Sequence, residues 1–155
     1  MQLAQLMPRD SRWVLVNPER TLRYAEKIDH ARLRIGQADN WSAEAEHDDR
    51  SQLAAWKAFQ EAVECVADVA SMIAVDTGGS PHDDYHNIDA LAAASIVSTT
   101  TAEQLRRGNG LRNRLVHEYE QIDVTLAVES LKEIGDAILV ALEGVERWLD
   151  AMTKR

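Results

Sequence analysis

Within the stretch LRNRLVHEYE the chain places Arg112, Asn113, Arg114, His117 and Tyr119. These residue types suit phosphate chemistry. A guanidinium holds a phosphate bidentately and stays charged, and an imidazole takes or gives a proton near neutral pH. Together an arginine and a histidine can cleave RNA without metal. The ribose 2′-OH attacks the adjacent phosphorus, the arginine stabilises the anionic transition state, and the histidine moves the proton.

The spacing sets a condition on that chemistry. His117 follows Arg112 by five residues, which is about 140° round an ideal helix. A lone straight helix therefore points the two apart. They converge only if the helix ends or bends near His117, or if a second protomer completes the site. Arg114 is the local competitor for the arginine's role. Arg112 and Tyr119 would share a stripe on a straight helix. The plainer alternative is a surface helix with a histidine at the edge of the core.

The elements that must position these residues read as helices. Asn17, Pro18 and Glu19 suit the N-cap and first turn of a first helix. Its buried stripe is Tyr24, Ile28, Ala31 and Ile35, and it is expected to end between Gly36 and Asn40. A second helix spans about Ser51 to Val75, with Trp56, Phe59, Val63, Val66, Ala70 and Ile73 inward. The run DTGGSP then ends it. A third fits Asp83 to about Ile96, with Ile88 and Leu91 inward. Thr100 and Glu103 have capping-box spacing and open the fourth. Gly108 and Gly110 in RGNG leave three options: the helix starts after Gly110, kinks there, or uses small residues for close approach. The last helix runs from about Val124 to Met152, on Val128, Leu131, Gly135, Ile138, Leu142, Val145, Leu149 and Met152. The expected fold is all-α: an antiparallel bundle of about five helices over residues 17–155. Residues 1–16 form an N-terminal extension, in which RWVLV suits a strand or an extended segment packing Trp13 on the body.

Composition agrees with this. Of 155 residues, 45% are hydrophobic but only 5% aromatic, which suits aliphatic helix packing better than a β-sandwich. Seventeen Lys and Arg against 26 Asp and Glu give a net charge of −9. Such a chain repels nucleic acid at long range. Yet no Asp or Glu occurs from Gln104 to His117, where Arg106, Arg107, Arg112 and Arg114 form one positive island. The island is either an anion site or a solvated helix face. No apolar run approaches the ~20 residues that span a bilayer, and no secretory leader is evident. A cytoplasmic protein is expected.

Other chemistry finds less support. The lone Cys65 excludes a disulfide within one chain, and its apolar setting suits a buried thiol. HDDYH, with His82 and His86, and EHDD, with Glu46 and Asp49, resemble metal-ligand clusters. His82 and His86 follow Pro81 at a helix start, however, where polar residues are expected as caps, and no metal site is assigned. Trp41, Trp56 and Trp148 have no interleaved basic residues and suit packing rather than base stacking. Nucleotide-binding glycine loops and the G-x-S-x-G elbow are absent. No cofactor is expected.

LRNRLVHEY resembles the signature of the HEPN superfamily, and the tyrosine two residues after the histidine resembles the HepT branch. NPERTLRYAEKI, AFQEAVECVADVASMI and the helix after YEQID are similar to that branch's first, second and last helices. HepT is the toxin of the HepT/MntA (minimal nucleotidyltransferase) toxin–antitoxin modules. The resemblance implies a homodimer whose two motifs face each other across a cleft. It implies a type VII-like toxin, a metal-independent RNA endonuclease with Arg112 and His117 catalytic and Asn113 supporting. Arg106, Arg107 and Arg114 would be phosphate contacts, and Arg114 is secondary to Arg112. Tyr119 would receive AMP from a partner nucleotidyltransferase, whose bulk and charge would exclude RNA. Glu64 and Asp68 match acidic positions of the branch, either positioning Arg112 or serving as polar helix residues. A non-catalytic HEPN module that binds a nucleotidyltransferase or a nucleotide ligand is the alternative. Residues 1–16 lie outside the resemblance.

Overall fold

A computed structural model describes residues 17–153. The extension with Trp13, and the strand or extended segment expected there, lie outside the described residues. Five helices follow one another: α1 Pro18–Ser42, α2 Asp49–Asp76, α3 Asp84–Ala93, α4 Thr99–His117 and α5 Val124–Thr153, with a 3-10 turn over Tyr119–Gln121 before α5. No strand occurs among the described residues. The all-α reading therefore holds.

The apolar stripes close one core. Tyr24, Ile28, Ala31 and Ile35 of α1 and all six named α2 positions are buried. So are Ile88 and Leu91 of α3, and every named α5 position from Leu131 onward, while Val128 packs partly buried at the margin. α1 lies antiparallel to α2: Arg20 at the start of α1 pairs with Asp76 at the end of α2 at 2.8 Å, and Tyr24 donates to the same carboxylate at 2.6 Å. α1 also crosses α5, where Tyr24 meets Trp148 edge-on at 5.8 Å between ring centroids. Trp56 and Trp148 are buried and Trp41 packs against the core, so these three tryptophans are packing residues. Cys65 is buried as expected, and burial pushes its thiol up from the usual value.

Several boundaries differ from expectation. Asn17 caps α1, accepting from the Arg20 amide at 2.8 Å. The helix does not stop at Gly36–Asn40, because Ala38 and Ser42 extend its buried stripe to a last turn at Ser42. α2 begins at Asp49 rather than Ser51, since the Asp48 carboxylate accepts from the Arg50 and Ser51 amides. The Thr100–Glu103 capping box does not form. Ser98 is the cap, its hydroxyl accepting from the Thr101 amide at 3.0 Å. α3 ends at Ala93 instead of Ile96. The chain turns through Ser95 at φ 58° and sets Ile96 against α5. The Ile96 carbonyl oxygen lies 2.4 Å from where a Cβ on Gly144 would stand, so only glycine fits there.

α4 runs unbroken through both glycines. Of the three options for RGNG, close approach is the one realised. Gly108 is buried, and a Cβ on it would lie 3.0 Å from Ile134 Cγ2 and 3.7 Å from Val63 Cγ2. The glycine lets α4 settle between α2 and α5, and this brings Arg112 against α2.

Candidate active site

Arg112 occupies the groove between α4 and α2. Leu105, Asn109 and Arg112 recur at four and three residues, so they share one helix face. Leu105 and Asn109 are buried, and Arg112 is half-buried. Its Nη1 donates to Asn113 Oδ1 at 2.8 Å, and its Nη2 reaches Glu64 Oε1 at 3.4 Å. The same Glu64 oxygen accepts from Gln60 Nε2 at 3.0 Å. A chain Gln60–Glu64–Arg112–Asn113 thus links α2 to α4. The Arg112 Nε and Asn109 Nδ2 are buried without a partner among the described residues.

Glu64 therefore touches Arg112, one of the two roles open to it. Asp68 does not: it pairs with Lys27 of α1 at 2.7 Å. Sequence reading missed Gln60, although it lies four residues before Glu64 and so faces the same side of α2.

α4 ends at His117. The Glu118 backbone leaves the helical region at φ −131° and ψ 26°, and its amide still donates to the Arg114 carbonyl at 2.8 Å. Tyr119 opens the 3-10 turn. The stripe expected to join Arg112 and Tyr119 is thus not formed, because the α-helix stops between them. His117 is exposed. It stays on a regular helix with Arg112, about 140° round and ~7.5 Å along the axis. No hydrogen bond joins the two among the described residues.

The positive island is divided and largely neutralised. Arg106 pairs with Asp89 of α3, Arg107 with Glu133 of α5 at 3.2 Å, and Arg114 with Glu118 at 3.7 Å. Arg114 lies about 160° round the helix from Arg112, and Arg107 shares Arg114's side. Each arginine keeps an exposed edge, yet only Arg112 faces α2. The HDDYH cluster is largely helix-start machinery. Asp83 caps α3, accepting from the His86 amide at 2.9 Å and contacting His86 Nδ1 at 2.8 Å. Buried Asn87 bonds both the amide and the carbonyl of His82, at 3.0 Å each. Asp49 of the EHDD cluster likewise sits in the first turn of α2.

The family model described as Ribonuclease HepT-like matches residues 21–145, including all of α2, α3 and α4. The chain belongs to the Ribonuclease HepT-like family. An Archaeoglobus fulgidus protein named "Putative RNase" is 33% identical to this HepT-like chain over 128 residues, which are 82% of this chain and 94% of that protein. A second protein of that name and organism is 36% identical over 88 residues, 57% of this chain and 67% of that protein. The fold is similar to that of the tri-AMPylated Shewanella oneidensis HEPN toxin, solved in complex with MNT antitoxin. The TM-score is 0.74 at 18% identity, over 81% of this chain and 97% of that one.

Proposed function

We propose that this HepT-like protein is the cytoplasmic ribonuclease toxin of a type VII-like toxin–antitoxin module. The observation that carries the reading is the half-buried Arg112 held between Glu64 and Asn113, five residues before an exposed histidine at the end of α4.

The reaction needs no metal. A phosphate of RNA binds the exposed edge of Arg112, while Glu64 keeps its contact with the guanidinium from α2. The 2′-oxygen forms a bond to phosphorus as the P–O5′ bond breaks. His117 accepts the proton of the 2′-OH and passes a proton to the leaving 5′-oxygen, which returns the imidazole to its neutral form. Arg112 stabilises the charge that develops on the non-bridging oxygens. Asn113 keeps the guanidinium oriented. Arg106, Arg107 and Arg114 are secondary phosphate contacts, available once RNA replaces their acid partners.

Within one chain Arg112 and His117 diverge, so the working unit in this reading is a homodimer. A two-fold axis near the end of α4 brings the His117 of one protomer toward the Arg112 of the other. Tyr119 is the control point, and a minimal nucleotidyltransferase partner attaches AMP to it. The Shewanella toxin, AMPylated and bound to its MNT antitoxin, supports this by analogy.

Induced expression tests the reading. Wild type should arrest growth, and His117→Ala should not. Equal arrest by both, or by neither, counts against a nuclease. A second reading, a non-catalytic module that binds a nucleotidyltransferase or a nucleotide, draws on the acids that pair with all four arginines. It predicts partner binding that survives His117→Ala and no RNA cleavage by wild type.

A further inference from the structure

One face of α1 carries Arg20, Arg23, Lys27, His30 and Arg34, spaced three, four, three and four. This is the period of a helix stripe, made here only of basic residues and histidine. It runs beside the buried stripe of Tyr24, Ile28, Ala31 and Ile35, on the side toward α2. At 1.5 Å per residue it is about 21 Å long.

Opposite it stand three acids of α2, Glu61, Glu64 and Asp68, themselves spaced three and four. Arg34 Nε meets Glu61 at 2.5 Å, and His30 Nε2 lies 4.0 Å from the same oxygen. Lys27 meets Asp68 at 2.7 Å. Glu64, between them, contacts Arg112 from the other side of α2. The acid row is therefore common ground: the α1 stripe borders one side of it and Arg112 the other. Arg20 is tied to Asp76 and Tyr24 at the α2 terminus and is structural. The rest of the stripe is Arg23, Lys27 and Arg34 with the imidazole of His30.

We infer that the α1 stripe is an RNA backbone track leading into the Arg112 centre. This rests on the nuclease reading above and adds where the substrate lies. Glu61 and Asp68 are held by Arg34 and Lys27 of α1, and Glu64 by Arg112 of α4, so the row as a whole lies between two sets of cations. A phosphodiester backbone following α1 shares the cations of the stripe with Glu61 and Asp68, whose carboxylates stay beside it. The Lys27–Asp68 pair is exposed, and such a pair contributes only about 0–1 kcal/mol, so Lys27 turns to a phosphate at little cost. The same acids weaken the hold on any polyanion that does not also reach Arg112. Such a filter suits a chain of net charge −9.

Binding of an RNA strand of about 20 nucleotides tests the track, measured by fluorescence anisotropy at several salt concentrations on a His117→Ala background that prevents cleavage. Arg23→Gln combined with Lys27→Gln should raise Kd about tenfold at low salt and flatten the salt slope by roughly 0.7 per lost phosphate contact. Asp68→Asn should tighten binding, which a merely misfolded variant would not do. Unchanged Kd and slope in the double variant overturn the track. So does normal RNA binding with lost nucleotidyltransferase binding, which would make the stripe a protein-docking face. Cleavage by the wild-type protein is scored separately. If it fails while the stripe variants still weaken binding, the nuclease reading falls and the track stands.

Discussion

Glu64 Oε1 stands 3.4 Å from Arg112 Nη2 and 3.0 Å from Gln60 Nε2. One carboxylate oxygen from α2 thus fixes the position of the arginine that α4 brings to the groove. Removing that support should cost precision rather than fold. Glu64→Gln keeps an acceptor oxygen and should hold RNA cleavage within about threefold of wild type. Glu64→Ala should lower kcat about tenfold or more, because a misplaced catalytic group loses orientation. Equal activity of Glu64→Ala and wild type would show that Arg112 is positioned by other groups.

Two helical glycines should respond oppositely to alanine. Nothing lies within 4 Å of a Cβ built on Gly36. Gly36→Ala should therefore gain most of the ~1 kcal/mol helix-propensity difference and raise Tm by about 2–4 °C. At Gly144 the added carbon would stand 2.4 Å from the Ile96 carbonyl oxygen, a backbone atom. Gly144→Ala should lower Tm despite its better propensity. Thermal melts followed by circular dichroism decide both.

The Tyr24 phenol, fully buried and hydrogen-bonded to Asp76, gives a pH dependence. Burial first, and the Asp76 carboxylate next, push it above its ordinary 10.0. The folded-state value is raised, so the contribution is complete below about pH 10 and is lost above it, as the unfolded chain ionises and the folded one does not. Tyr24→Phe should lower stability by about 1 kcal/mol at neutral pH. Its Tm should then fall less steeply than that of wild type between about pH 10 and 11. Parallel Tm curves through that range would show that Tyr24 ionises as freely in the folded chain.

Tyr119 is the proposed acceptor of AMP. Incubation with a partner nucleotidyltransferase and ATP should add the adenylyl mass to wild type and none to Tyr119→Phe. Full mass gain by the variant would move the modification elsewhere.

The helices and their buried faces were legible in the sequence, because aliphatic positions recur at three and four residues with few breakers. The Asn17 cap and the glycine turn after α2 were legible for the same local reasons. Other features depend on tertiary contact. Ser98, Thr99, Thr100 and Thr101 all offer hydroxyls, so spacing alone did not single out Ser98. Ser95 turns the chain at positive φ without a glycine to signal it. The continuity of α4 through Gly108 follows from its fit against Ile134 and Val63, which lie elsewhere in the chain. In the candidate site, Arg112 and His117 were legible from residue type and resemblance. The acids that engage Arg106, Arg107 and Arg112 come from α3, α5 and α2, and no local pattern pairs them.

Cleavage of RNA by the purified protein in excess EDTA, with the product ends identified, tests the central claim most directly. Wild type should cut and leave 2′,3′-cyclic phosphate and 5′-hydroxyl ends. Arg112→Ala and His117→Ala should each be slower by about 100-fold or more. Activity abolished by EDTA, or variants that cut as fast as wild type, would contradict a metal-free Arg112–His117 centre.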